Sequence, residues 1–256
     1  MVTGNAATAA AATFVDEVDR VFHRYWGGHY EVVKIFFSRP RSKDDLVAWL
    51  EAQAHKEIQS IPRQAQAILD MYRTLDDETE RGELQREAYE MADEIQHYRL
   101  LADVLEMVSG RRRPAREFTG STSPESMALR EVRATSRGLG KLANLVGSFG
   151  GPGGGTAFSA AGMMIDGGPV ERQLASTFVI IHEQELHHYQ SARFVFEQQV
   201  HRTDPAEMPG ALDYARALAR AHFLERNALF GYPLSLERIA EIDAGLGRPY
   251  VPPASH

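Results

Sequence analysis

The chain contains Glu94-Ile95-Gln96-His97-Tyr98 and, 91 residues later, Glu185-Leu186-His187-His188-Tyr189. With ten His and nine Tyr in 256 residues, chance supplies roughly 0.03 copies of Glu-x-x-His-Tyr, so two copies need a cause. On a helix, residues three apart share a side, and each pair therefore presents one carboxylate and one imidazole toward a common point. Carboxylate and imidazole together form a ligand set for a metal ion. The flanks agree. Glu90, Glu94, His97, Leu101 and Leu105 fall on one helical stripe, and Ile181, Glu185, His188, Ala192 and Val195 fall on another. Charged groups on a core-facing stripe are costly unless they are paired or metal-bound. The same offset aligns Val104 with Val195 and Glu106 with Glu197, as a duplicated two-helix unit would. With no cysteine in the sequence, disulfides, thiolate metal sites and a cysteine nucleophile are excluded.

Positioning such pairs requires helices, and the pattern supplies them. From Asp44 to Tyr72, Val47, Leu50, Ala54, Ile58, Ile61, Ala65, Ile68 and Tyr72 recur at three- and four-residue steps, with Ser42 or Asp44 as cap and a kink expected at Pro62. After TLDDET a second helix runs from about Glu80 to Val108, until Gly110 and Pro114 stop it. A third is predicted from Ser123-Pro124-Glu125 through Leu129, Val132, Leu139 and Leu142. The 147–168 stretch, with its GGPGGG, reads as a flexible connection or lid containing at most a short helix over Thr156–Met164. A fourth long helix is expected from Pro169 to about His201. Segments near 14–37, broken at Gly27-Gly28, and near 210–230 and 234–244 complete an all-α chain.

Composition bounds the partners. A formal charge of -7 gives no general attraction to phosphate backbones, so nucleic acid is a poor default partner. Arg111-Arg112-Arg113, just past a helix end, reads as a solvated, dipole-compensating cluster. No apolar run reaches the ~18 residues of a membrane span, and MVTGNAATAAAATF lacks the basic and apolar regions of a signal, reading as a frayed leader. The expectation is a cytoplasmic protein of one domain over residues 1–256, with a core at 44–200 and helical flanks at 1–43 and 201–256.

With these helices and its two Glu-x-x-His pairs, the sequence resembles the ferritin-like di-iron carboxylate superfamily. There a four-helix bundle holds two metal ions through one Glu on each of two helices and Glu-x-x-His on each of the other two. The resemblance covers roughly residues 44–200 and implies a ferritin-like bundle with additional N- and C-terminal helices. It assigns Glu94, His97, Glu185 and His188 as metal ligands and asks for a single Glu on each remaining helix. Two antiparallel helices place residues equidistant from their turn side by side, which puts Glu57 level with Glu94; Glu51 and His55 sit one to two turns away. The fourth carboxylate departs from the duplication, because 132–165 holds no acidic residue. Glu131 is favoured if the third helix ends near Gly147 and the fourth begins near Gly168. Glu125, on the stronger apolar stripe, is its competitor.

Other residues are read blandly. His182 and His187 point away from the Glu185/His188 stripe and are expected to be hydrogen-bonded or surface histidines, with His182 retained as a residue that could support the ligands. Tyr98 and Tyr189 are expected to pack or to donate hydrogen bonds beside the ligands. Glu90, one turn before Glu94, reads as a helix-flank carboxylate, with a seventh ligand or a proton carrier as alternatives.

By resemblance the activity is that of an O2-activating non-heme di-iron oxygenase or oxidase that hydroxylates, desaturates or N-oxygenates a small organic substrate. Two Fe ions are implied, with manganese or a mixed pair as the alternative, O2 as co-substrate, an external electron donor, and room for a homodimer. The competing readings are a non-catalytic ferritin-like metal-binding or iron-storage protein and a manganese catalase-like peroxide enzyme.

Overall fold

The computed structural model describes residues 3–253, so the first residues of the expected frayed leader lie outside it. Among the described residues the chain is all-helical, with one isolated bridge, Leu75 to Thr79, and no strand. The helices are α1 (Thr3–Ser38), α2 (Lys43–Gln59), α3 (Ile61–Arg73), α4 (Arg81–Ser109), α5 (Pro124–Thr135), α6 (Lys141–Gly162), α7 (Pro169–Val200), α8 (Met208–Leu229) and α9 (Leu236–Asp243). They fall into two compact units. One comprises residues 40–121 and 166–177; the other comprises 1–39, 122–165 and 178–256.

The 40–121 unit is built on a helical hairpin in which α2 and α3 both pack along α4. Ser42 caps α2 through a reciprocal box: its side chain accepts from Asp45 N, and Asp45 accepts from Ser42 N. Instead of a kink at Pro62, the helix stops at Gln59 and restarts at Ile61, which puts the proline in the first turn of α3, where its missing N–H costs nothing. Gly110 ends α4 in the left-handed conformation (φ 76°) and donates to Glu106 O. Trp49, Leu50 and Ala54 of α2 and Leu101, Val104 and Leu105 of α4 are buried between the helices.

In the second unit α1 packs on both α6 and α8, and α5 packs on α8. The segments expected as flanks thus supply core helices here. Three expectations fail, all of them on glycine. The 123–147 helix is two helices, separated at Ser136–Gly140, where Gly140 has φ 97°. GGPGGG is neither loop nor lid but the middle of α6, with Gly153, Gly154 and Gly155 buried. Gly27-Gly28 does not break α1, which is continuous.

The cause is close packing. A Cβ at Gly150, Gly153 or Gly154 would fall on Phe22, Trp26 or His29 of α1, and one at Gly28 would fall on the Phe223 ring. Tertiary burial of these large rings outweighs the roughly 1 kcal/mol per residue by which glycine disfavours a helix. The α7 segment within this unit joins the same core. Tyr189 meets Trp26 edge-on at 5.7 Å between ring centroids, and Phe196 stacks on Phe149 at 5.3 Å. No helix among the described residues is long and apolar enough to cross a membrane.

Candidate metal centre

α4 carries Glu94 and His97 one turn apart on the side that faces α2, and α2 brings Glu57 to the same level. Ligand atoms of Glu57, Glu94 and His97 all lie within 4.8 Å of one another. His97 is fully buried and the Glu57 side chain is 12% exposed, with Oε2 of Glu57 3.8 Å from Nδ1 of His97. Gln53, one turn earlier on α2 and buried, donates its amide to Glu57 Oε1. That bond fixes one carboxylate oxygen and turns the other toward the imidazole.

The electrostatics keep Glu57 ionised. Burial alone would push its carboxyl up, but the proximity of His97, helped by Glu94 and Lys56, outweighs burial and holds it at about 2. Two carboxylates beside a buried imidazole form a group that could hold a metal ion. Glu90, outside this three-residue group, is pushed up to about 7, first by burial and then by the charge of Glu87, against an opposing effect of Arg86. It is therefore partly protonated near neutrality, one turn from Glu94.

The second Glu-x-x-His lies in the other unit. His188 is buried, Glu185 is partly buried, and the Glu185 carboxylate lies against the α6 backbone in the volume that a Cβ on Gly155 would occupy. The α6 position facing Glu185 is thus a glycine. Glu131 lies exposed on α5, and Glu125 accepts a hydrogen bond from Tyr232 Oη at 3.0 Å. Among the described residues, no group of three ligand atoms at this spacing contains Glu131, Glu185 or His188.

His187 is exposed, as expected. His182 is half-buried, with Nδ1 3.1 Å from Ser159 Oγ on α6. Ser159 also donates to Gly155 O at 2.7 Å. Burial pushes the His182 pKa down, keeping the ring neutral at pH 7.

Two histidines escaped the sequence reading. His29 of α1 and His222 of α8 are buried with ring centroids 5.4 Å apart, and Arg133 donates to His222 Nε2 at 3.2 Å. Neither follows a Glu three residues earlier, so neither repeats the Glu-x-x-His order that marks the other pairs. Gln53, by contrast, stands four residues before Glu57, and that spacing was available in the sequence. None of the protein-family models, curated proteins or solved structures compared with the chain matches it.

Proposed function

We propose that the chain is an O2-activating non-heme iron oxygenase or oxidase acting on a small organic substrate, built on a ferritin-like arrangement of ligands. One observation carries the reading: a buried imidazole and two carboxylates, from two packed helices, with ligand atoms within 4.8 Å of one another. Bound reduced iron would supply the electrons and the coordination site that O2 requires. Glu57, oriented by Gln53, would contribute negative charge to the ion, with the His97 ring neutral when the ion is bound. Glu94 and His97 would complete one side of its coordination, leaving positions for O2 and substrate. Glu90, poised near neutral pH, would hold or release a proton one turn away.

The di-iron form of the proposal adds a second ion held by Glu185 and His188. It predicts about two irons per chain, against about one if only Glu57, Glu94 and His97 bind. Anaerobic loading with ferrous iron, metal analysis, and O2 uptake by the reduced protein test the reading. Glu94→Ala and His97→Ala should abolish iron retention at the first position, and His188→Ala should remove the second ion. Unchanged metal content in Glu94→Ala and His97→Ala would overturn the assignment. Uptake of many irons per chain would indicate storage, and rapid O2 release from peroxide by manganese-loaded protein would indicate a catalase-type activity.

A further inference from the structure

Glu57 stands in the last turn of α2, where the final backbone carbonyls of a helix have no partner within it and the end tends to fray. Two neighbours hold it there. Ser60, just past the helix, donates its hydroxyl to the Glu57 carbonyl at 2.9 Å and fixes the backbone. Gln53, one turn earlier on the same side of α2, donates Nε2 to Glu57 Oε1 and fixes the carboxylate. Gln53 is itself 2% exposed, on the stretch of α2 that buries Trp49, Leu50 and Ala54, so its amide has little freedom to turn elsewhere. The two oxygens of Glu57 are therefore not equivalent. Oε1 takes the amide, while Oε2 is the oxygen that lies 3.8 Å from Nδ1 of His97.

We infer that Gln53 is a positioning residue that commits Glu57 to bind an ion through Oε2 alone, leaving open the coordination position that a chelating carboxylate would fill. This role rests on the reading of Glu57, Glu94 and His97 as metal ligands and adds to it the mode in which one of them binds. Carboxylates hold metal ions through one oxygen or both, and hydrogen bonds from outside the ligand set orient them. Turning both oxygens of Glu57 onto the ion would cost a buried hydrogen bond. The residue type fits as well. An amide N–H occupies a lone pair of Oε1 without bringing a charge, whereas lysine or arginine in its place would set a cation against the bound ion.

Cobalt and zinc ions are suitable probes, added to metal-free full-length protein. Retention of Co2+ by wild type and its loss in His97→Ala test the ligand reading itself; a wild type that retains no Co2+ overturns that reading and the role of Gln53 with it. The positioning role is read from the visible absorption of the Co2+ that depends on His97, which weakens as coordination number rises. Gln53→Met keeps the shape of the side chain and removes the donor, so Oε1 becomes free to join the ion. Absorption per bound Co2+ should then fall, and the Kd should rise about tenfold, because the carboxylate must be ordered on binding. Bound Co2+ with the wild-type spectrum in Gln53→Met overturns the positioning role and leaves the ligand reading intact. A measurement on the unaltered protein covers the case in which this variant does not fold. The Gln53 side-chain amide protons, observed by 15N NMR, should keep their chemical shifts and their slow exchange when Zn2+ binds. Release of the proton that Glu57 accepts, as when Oε1 turns from Gln53 to the ion, overturns the inference.

Discussion

The carboxylate of Glu185 on α7 occupies the volume that a side chain at Gly155 on α6 would fill. Three glycines of this helix consequently respond differently to a methyl group. At Gly151 nothing beyond its chain neighbours lies within 4 Å, so helix propensity favours Gly151→Ala while the following Pro152 disfavours a Cβ there, and stability should change by less than about 1 kcal/mol. At Gly153 the methyl group meets the indole of Trp26, buried and unable to move aside, and Gly153→Ala should cost about 1–3 kcal/mol. At Gly155 it meets the flexible end of Glu185, so stability should change by less than about 1 kcal/mol while the carboxylate is displaced. Urea unfolding of the three variants checks the order; Gly153→Ala as harmless as Gly151→Ala would contradict the packing described.

How far the sequence reached is visible at particular residues. Local signals were dependable: the Ser42 and Ser123 caps, Gly110 as a stop, and the three-residue spacing of Glu94 and His97 all appear as helix chemistry dictates. Glu57 was reachable because one short turn relates α2–α3 to α4, and equidistance from a turn is a geometric constraint. Long-range burial was not legible. A glycine run disfavours a helix by propensity, and only the rings of Phe22, Trp26 and His29, distant in sequence, show why α6 needs those notches. The level of Glu131 with Glu185 requires residues 147–168 to be a loop, whereas α6 is helical to Gly162 and Glu131 is exposed on α5.

Glu90 should make stability fall as pH rises. Its carboxyl is pushed up to about 7 from an ordinary 4.5, chiefly by burial, so its contribution is fully present below about 4.5 and is lost as pH rises through 7. Glu90→Gln removes the ionisation. Relative to wild type, the metal-free variant should gain on the order of 1 kcal/mol at pH 8, a figure reduced for the solvent that still reaches the group, and little at pH 4.5. Denaturant titrations at the two pH values measure this; equal differences at both would show that Glu90 is not the titrating group.

Arg193 joins α7 to α1 through its side chain. It pairs with both oxygens of Asp19, donates to Glu197 at 2.7 Å, and lies 5.2 Å from the Phe149 ring centroid. Both partners of the Asp19 pair are less than one-fifth exposed. Arg193→Ala leaves the Asp19 carboxylate without its fork and Phe149 without its cover, and should cost about 1–3 kcal/mol. Arg193→Lys keeps the charge but neither the fork nor the flat stack, and should recover less than half of that loss. A double-mutant cycle with Asp19→Asn isolates the pair, and a coupling indistinguishable from zero would show that packing alone carries the effect.

Glu57 provides the sharpest link between stability and metal. Because the folded protein holds its carboxyl at about 2, against an ordinary 4.5, its stabilising effect is present above 4.5 and lost as pH falls toward 2. Metal-free wild type should therefore lose stability more steeply than Glu57→Gln as pH is lowered from about 5 to 3. At neutral pH the comparison turns on the ion. A metal that binds only the folded chain stabilises it by about 2.7 kcal/mol when its free concentration is a hundred times its Kd. Ferrous iron under anaerobic conditions should raise the wild-type melting temperature accordingly. Glu57→Gln can still accept the Gln53 amide and keep the local packing, yet offers a neutral oxygen in place of an anion, so the rise should largely disappear. His97→Ala should abolish it. If Glu57→Gln gains as much thermal stability from iron as wild type does, the carboxylate of Glu57 does not bind the ion.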